Sequence, residues 1–328
     1  MKVLVVGGAG YIGSHVARAL QKCGETAILY DNLHAGHRSL AGNNELVVAD
    51  ITDSNALNEA MRRVDAVMHF AAHAYVGESV ENPQKYFQNN VVAGLTLLDT
   101  VIRCGVRNFV FSSTCAVYGT TDRVPIVENT PRNPVNPYGS SKLFFEYALS
   151  AYQKAYGLRY ACLRYFNAAG ADESGEIGEL HDPETHLIPL ALAAAAGTGK
   201  PLEIFGDDYS TPDGTCVRDY IHVNDLAEAH VLALQNIIET GHSQVVNLGT
   251  GKGYSILEVI SAVEKVAGRK VPYKIVPRRA GDPPILIADP SRAEKLLGWK
   301  RSVIWKQSFL LPGNGCSGIN PTQRKLMP

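Results

Sequence analysis

Tyr138 and Lys142 stand four positions apart in NPYGSSKLFFE, residues 136–146. Asn136 is a favourable helix N-cap, Pro137 fits the first helical position, and Gly157 supplies a stop. Positions i and i+4 share a helical face, so an ammonium can approach a phenol there. The unpaired N–H groups and the dipole of a first helical turn also favour negative charge. Both effects would lower a phenol pKa from its usual ~10 and make it a general acid and base near neutral pH. A solvated helix surface carries the same pair, so the elements around it have to decide.

The strongest of those elements opens the chain. VLVVGGAGYIGSHVARAL places Gly8, Gly10 and Gly13 in G-x-G-x-x-G, and Gly7, Gly10 and Gly13 in G-x-x-G-x-x-G. The pattern follows a short β-favouring run and leads into a helical one, the context that lays a pyrophosphate over a helix N-terminus. The next apolar run, TAILYD, ends on Asp31. A carboxylate there binds ribose hydroxyls and repels a 2′-phosphate, which favours NAD over NADP.

Short apolar runs alternate with helical patterns: KVLVVGG, TAILYD, ELVVAD, AVMHFAA, NFVFSST and RYACLRYFN. Such continuous strands imply an α/β fold, a doubly wound parallel sheet covered on both faces. Ligands bind at the C-terminal edge of such sheets. After about residue 168 the rhythm breaks into the polar, Gly/Pro-rich segments ADESGEIGELHDPETH and GDDYSTPDGTCVRD, which suit loops over a ligand. VNDLAEAHVLALQNIIE and QVVNLGTG read as a return to the sheet. The expected division is 1–168 as a nucleotide-binding Rossmann domain, rejoined by 219–250. A smaller mixed substrate lobe takes 169–218 and 251–328, and its tail 300–328 is atypical.

Composition bounds the partners. The 328 residues are 45% hydrophobic and 19% charged, with a net charge of −1, so no basic excess argues for nucleic acid. The six cysteines, Cys23, Cys104, Cys115, Cys162, Cys216 and Cys316, have no metal-ligand spacing and read as reduced thiols of a cytoplasmic protein. The N-terminal apolar run is too short for a signal peptide, and LIPLALAAAAG is too short to span a membrane. Nor do His69, His73, His181, His186 and His222 show metal-ligand spacing; they read as structural or surface residues, and no metal is expected.

GGAGYIGSH, FAAHAYVGES, FSSTCAVYG, YGSSK, RYFNAAGAD and GTCVRDYIHV together resemble the extended short-chain dehydrogenase/reductases and, within them, the UDP-glucose (UDP-galactose) 4-epimerases. The resemblance runs from Met1 to about Trp299. It implies a tightly bound NAD, a UDP-hexose substrate, a transient 4-keto sugar and a homodimer. Tyr138 resembles the base that takes the proton of the sugar 4-hydroxyl, Lys142 the residue that lowers its pKa and holds the nicotinamide ribose, and Thr114 the hydroxyl beside them. On the cofactor side the resemblance adds Gly7, Gly10, Tyr11, Ile12 and Gly13 at the phosphates, Asp31 and Asn32 at the ribose, and Asp50 and Ile51 at the adenine. Phe70, Ala71 and Ala72 resemble the strand end beside the pyrophosphate, and Asn89, Ser112 and Tyr165 also belong to the expected cofactor set. Ala74 departs from relatives that have a cofactor-contacting Lys.

For the substrate, Arg218 and Arg279 resemble the diphosphate-binding arginines, whose fork geometry suits phosphate. Asn167 resembles the side chain between diphosphate and sugar, and Asp282 the uridine ribose partner. Leu187, Phe205 and Tyr165 would line the uridine and hexose walls. Other UDP-sugar 4-epimerases, a sugar-nucleotide 4,6-dehydratase and a non-catalytic NAD sensor are the competing readings. The tail KRSVIWKQSFLLPGNGCSGINPTQRKLMP has many helix breakers where an amphipathic helix is expected.

Overall fold

The computed structural model describes residues 1–279 and 281–302. Its strands begin with β1 (Lys2–Val6), β2 (Thr26–Asp31), β3 (Glu45–Val48), β4 (Ala66–His69), β5 (Asn108–Thr114) and β6 (Arg159–Tyr165). There follow β7 (Asn167–Ala169), β8 (Leu202–Phe205), β9 (Val217–His222), β10 (Gln244–Leu248), β11 (Gly253–Ser255), β12 (Tyr273–Val276) and β13 (Ile285–Leu286). The seven apolar runs read from the sequence form one sheet in the order β10-β6-β5-β4-β1-β2-β3. Every pairing in it is parallel. The chain winds outward from β1 through β3 and then crosses back to β4, so the direction of winding reverses between β1 and β4. Such a switch point opens a crevice at the strand ends.

The helices are α1 (Tyr11–Lys22), α2 (Ser54–Met61), α3 (Val76–Glu81), α4 (Pro83–Phe87), α5 (Gly94–Arg103), α6 (Pro137–Tyr156), α7 (Leu187–Ala196), α8 (Val223–Thr240), α9 (Ile256–Ala267) and α10 (Ser291–Leu297). Strand alternation sorts the core into two layers. Val3, Val5, Leu29, Met68 and Val110 pack under α1 and α8, whereas Leu4, Val6, Ile28, Val67 and Phe109 pack under α2, α5 and α6. Each such buried side chain contributes roughly 1.5–3 kcal/mol. Burial on both faces explains why the runs are continuously apolar.

The smaller lobe is built on β9, which pairs with β7, β11 and β13, and on the parallel pair β8 and β12. Ala191 of α7, Ile204 of β8 and Val259 and Val263 of α9 form its core. The expected boundary at 218/219 falls inside β9, because the strand runs unbroken from Val217 to His222. Within the expected 219–250 segment, α8 packs on the large sheet and β10 pairs with β6, whereas 219–222 belong to β9. Trp299 is buried and donates its indole N–H to Asp225 O at 3.0 Å. The atypical tail lies outside the described residues from position 303 onward.

Candidate active site

The glycine turn is shaped by close approach. Gly7 has φ +80°, and a Cβ there would meet Ala71 N at 2.5 Å; a Cβ on Gly13 would meet Gly7 O at 2.2 Å. Only glycine fits at either position. A Cβ on Gly10 would meet nothing nearer than Gly7 O at 3.3 Å, so the outer side of the turn stays open at the N-terminus of α1. Phe70 N and Ala71 N both donate to Val6 O, which brings the β4 end, with Ala72 next along the chain, beside the turn. Tyr11 and Ile12 begin α1, where N–H groups lack helical acceptors. Asp31 closes β2 and accepts from Ala9 N at 3.0 Å and Leu33 N at 2.8 Å. Burial nevertheless raises its pKa. Asn32 donates to Asp50 at 2.7 Å, and Ile51 is buried behind them. An open glycine turn, a helix N-terminus and a buried acid on the next strand fit a dinucleotide.

The helix expected over residues 137–156 forms as read, with Asn136 Oδ1 accepting from Gly139 N at 2.8 Å. Its first turn brings the Tyr138 phenol to the end of β5, where the Thr114 hydroxyl acts to lower its pKa. Lys142 turns elsewhere: its Nζ donates to Ser112 O at 2.8 Å, with the ammonium 4.9 Å from the centre of the Phe111 ring. Ser112 Oγ in turn meets Tyr165 OH at 2.6 Å. The expected lowering of the Tyr138 pKa by Lys142 is therefore corrected. Burial pushes Tyr138 well up and Lys142 down to about 7. Helical spacing put both on one face, but the sheet above that face took the ammonium and excluded water from the phenol.

On the other side of the cleft, Asn167 opens β7 and Leu187 begins α7. Arg218 is buried on β9 and reaches Asp282 at 2.9 Å. The two residues assigned separately to diphosphate and ribose thus form one ion pair. Arg279 lies over the Phe205 ring at 4.2 Å. Asn89 is half-buried and donates to Asn90 at 2.9 Å.

Several contributors were missed. Asn90 is buried and bonds Ser141 of α6 and both backbone groups of His73. Glu146 accepts from Ser113 and is held by Arg164 through Nε and Nη2 at 2.8 and 2.6 Å. Helical spacing from Lys142 was the only signal for Glu146. The histidines divide. His69 is buried against Phe111, burial pushing it down to about 3, and His222 caps α8. His181 and His186, however, converge with Glu179 and Glu184. Spacing along the chain did not reveal this, because the loop folds back on itself. Burial opposes charge on Glu179, but hydrogen bonds from both histidines outweigh it and hold the carboxyl at about 2.

Residues 3–249 match the NAD dependent epimerase/dehydratase family, and the chain belongs to it. It is 49% identical over 302 residues to a UDP-glucose 4-epimerase of Halalkalibacterium halodurans, covering 92% of this chain and 90% of that protein. The structure of UDP-glucose 4-epimerase from Brucella ovis in complex with NAD superposes with a TM-score of 0.92 at 52% identity, over 96% of this chain and 98% of that one. A UDP-glucose 4-epimerase from Stenotrophomonas maltophila, with bound NAD and formylated UDP-arabinopyranose, gives 0.91 at 43%, over 94% and 96%.

Proposed function

We propose that this chain is an NAD-dependent UDP-glucose 4-epimerase that interconverts UDP-galactose and UDP-glucose. The observation that carries the reading is the Thr114–Tyr138 pair at the edge of the sheet beside the open glycine turn. In this reading Tyr138 takes the proton of the sugar 4-hydroxyl and returns it, Thr114 orients that hydroxyl, and Lys142 and Ser112 hold the ribose side. NAD, when bound, would supply reversible hydride acceptance for the sugar C4, and the phenol of Tyr138 would move the matching proton. Gly7, Gly10, Gly13 and Asp31 hold that cofactor, with Asn32, Asp50 and Ile51 toward its adenosine end. Arg218, Arg279 and Asp282 meet the nucleotide diphosphate and ribose, and Asn167, Leu187 and Phe205 shape the cleft. The large sheet with α8 and β10 would serve the cofactor, and the smaller lobe built on β9 the sugar nucleotide.

A 4,6-dehydratase shares the first step but also needs a general acid and a base to remove water across C5 and C6. Where dehydratases place an Asp-Glu pair, directly after the Thr, this chain has Cys115 and Ala116. Alanine cannot titrate, and burial pushes the Cys115 thiol up to about 12. The 4-keto sugar has no route but hydride return. Purified protein given UDP-galactose should form UDP-glucose without added NAD. A product lighter by one water would overturn the reading in favour of the dehydratase.

A homodimer is supported by the outer face of α3, α6 and the turn at Gln88–Ala93, where Val80, Val92, Phe144 and Tyr147 are each about half exposed. A second copy of the same face would cover them. Light scattering should give twice the chain mass, and Phe144→Glu should halve it. The five cysteines among the described residues are free thiols, which supports a cytoplasmic setting. No helix among the described residues is long and apolar enough to cross a membrane.

A further inference from the structure

The loop between β7 and α7 carries four side chains that the proposed chemistry at Tyr138 does not use: Glu179, His181, Glu184 and His186. One donor atom from each lies within 4.8 Å of all the others. Ligands on a tetrahedral zinc-sized ion, each at about 2.0–2.2 Å from it, stand roughly 3.4 Å apart. Several pairs are already near that separation. His186 Nδ1 is 2.7 Å from Glu179 Oε1 and 3.0 Å from Glu184 Oε1, while His181 Nδ1 is 3.1 Å from Glu179 Oε1 and 4.0 Å from Glu184 Oε2. Two ring nitrogens from separate turns of the chain thus converge on one carboxylate oxygen.

We infer that these four residues form a structural site for a divalent d-block cation of the zinc type. Two carboxylates balance its charge, and two neutral imidazoles complete the shell. Nitrogen ligands select against magnesium and calcium, which prefer all-oxygen sets. Four protein ligands leave no open position, so the ion is structural and not catalytic. Neither carboxylate has a lysine or arginine partner among the described residues; the two histidines are their partners, and a bound ion would displace the protons those contacts share. Glu184 Oε1 also accepts from Thr185 N and His186 N at 2.7 and 2.8 Å, which fixes its carboxylate beside the His186 ring.

Placement gives the site a consequence. His186 precedes α7 directly, and the loop leans on the other side of the cleft: His37 meets Leu180 O at 3.0 Å, and Tyr75 donates to Pro183 O at 3.3 Å. The His181 ring lies edge-on to Tyr11 of the glycine turn, 6.3 Å between centres. A bound ion therefore fastens the loop against the elements that would retain NAD.

The test uses the full-length chain without an affinity tag, stripped with a chelator and dialysed. Zinc is titrated in competition with a chromophoric chelator, and cobalt(II) is followed by visible absorption. One equivalent of zinc should bind, and cobalt should give the intense d–d bands of a four-coordinate site. His181→Gln and Glu184→Gln should each weaken zinc at least about tenfold, with circular dichroism unchanged. A variant at His34 and His73, whose rings pair elsewhere at 5.8 Å, should bind as the parent does. Substoichiometric zinc binding by the parent, or undiminished binding by both ligand variants, overturns the site. Because these readouts do not involve turnover, they stand apart from the proposed reaction.

Discussion

Replacing Tyr138 with Phe removes one oxygen and leaves the ring where it is. Tyr138 is only 9% exposed, and its phenol faces Thr114 at the end of β5. Losing the phenol's polar partner costs at most about 1 kcal/mol, partly offset because the hydroxyl no longer has to be kept from water. The variant should therefore melt within a few degrees of the parent and retain its NAD. Catalysis should suffer far more. A positioned acid and base contributes about 10²–10⁴ in rate, or roughly 3–5 kcal/mol of barrier at 1.36 kcal/mol per decade. The assay is the initial rate of UDP-glucose formation from UDP-galactose, with NAD counted after denaturation. A kcat reduced at least about a hundredfold at unchanged NAD content is the expected result. Near-parental turnover would refute the assignment, and a fall matched by lost NAD would show that the residue holds cofactor instead.

Leu286 is paired with Arg218 across β13 and β9 and packs beside Cys115 and Phe166. Leu286 is buried, and a leucine there is smaller than a tyrosine, which leaves room for an N-acetyl group on the proposed sugar. Leu286→Tyr should then selectively lose UDP-N-acetylglucosamine epimerisation, and equal loss on both sugars would argue against a gate. Glu146→Ala strands the buried Arg164 charge and should destabilise by about 3–5 kcal/mol, read from urea midpoints; a change under about 1 kcal/mol sinks that account. Lys142 has its folded pKa depressed to about 7 from 10.5. The unfolded chain therefore binds more protons between those values, and stability should rise with pH across that window. Lys142→Met should flatten that rise, and an unchanged slope would mean that Lys142 is not its source.

Local physics made most of the scaffold legible. Seven apolar runs became seven parallel strands because burial on both faces leaves an unbroken hydrophobic signature. The Asn136 cap and Gly157 stop bounded α6 because both act within a few residues. What stayed hidden joins distant positions. Arg218 and Asp282 are 64 residues apart, and no local pattern says they pair. His181 and His186 read as unrelated because ligand spacing was sought along the chain, while the loop brings them together in space. The direction of the Tyr138 shift was missed for a related reason. Neighbouring charges can be read from spacing, but desolvation depends on what the sheet and the small lobe place over the phenol.

Tyr138, Lys142 and Glu146 recur every four residues, and each meets the top of β5 differently. Tyr138 faces Thr114, Lys142 bonds the Ser112 carbonyl, and Glu146 takes Ser113 together with Arg164 of β6. Alternation along a strand sends Thr114 to one face and Ser113 to the other, so the helix clasps the strand end from two directions. Of the three contacts, only the buried Glu146–Arg164 pair is bidentate and charged on both sides, which makes it the hardest to slide. A phenol that must meet a sugar hydroxyl within hydrogen-bond reach needs its helix fixed in register, since a small displacement forfeits much of the rate. Glu146 thus explains how a base at a helix's first turn is held in register: two turns further in, the same face is anchored to the sheet.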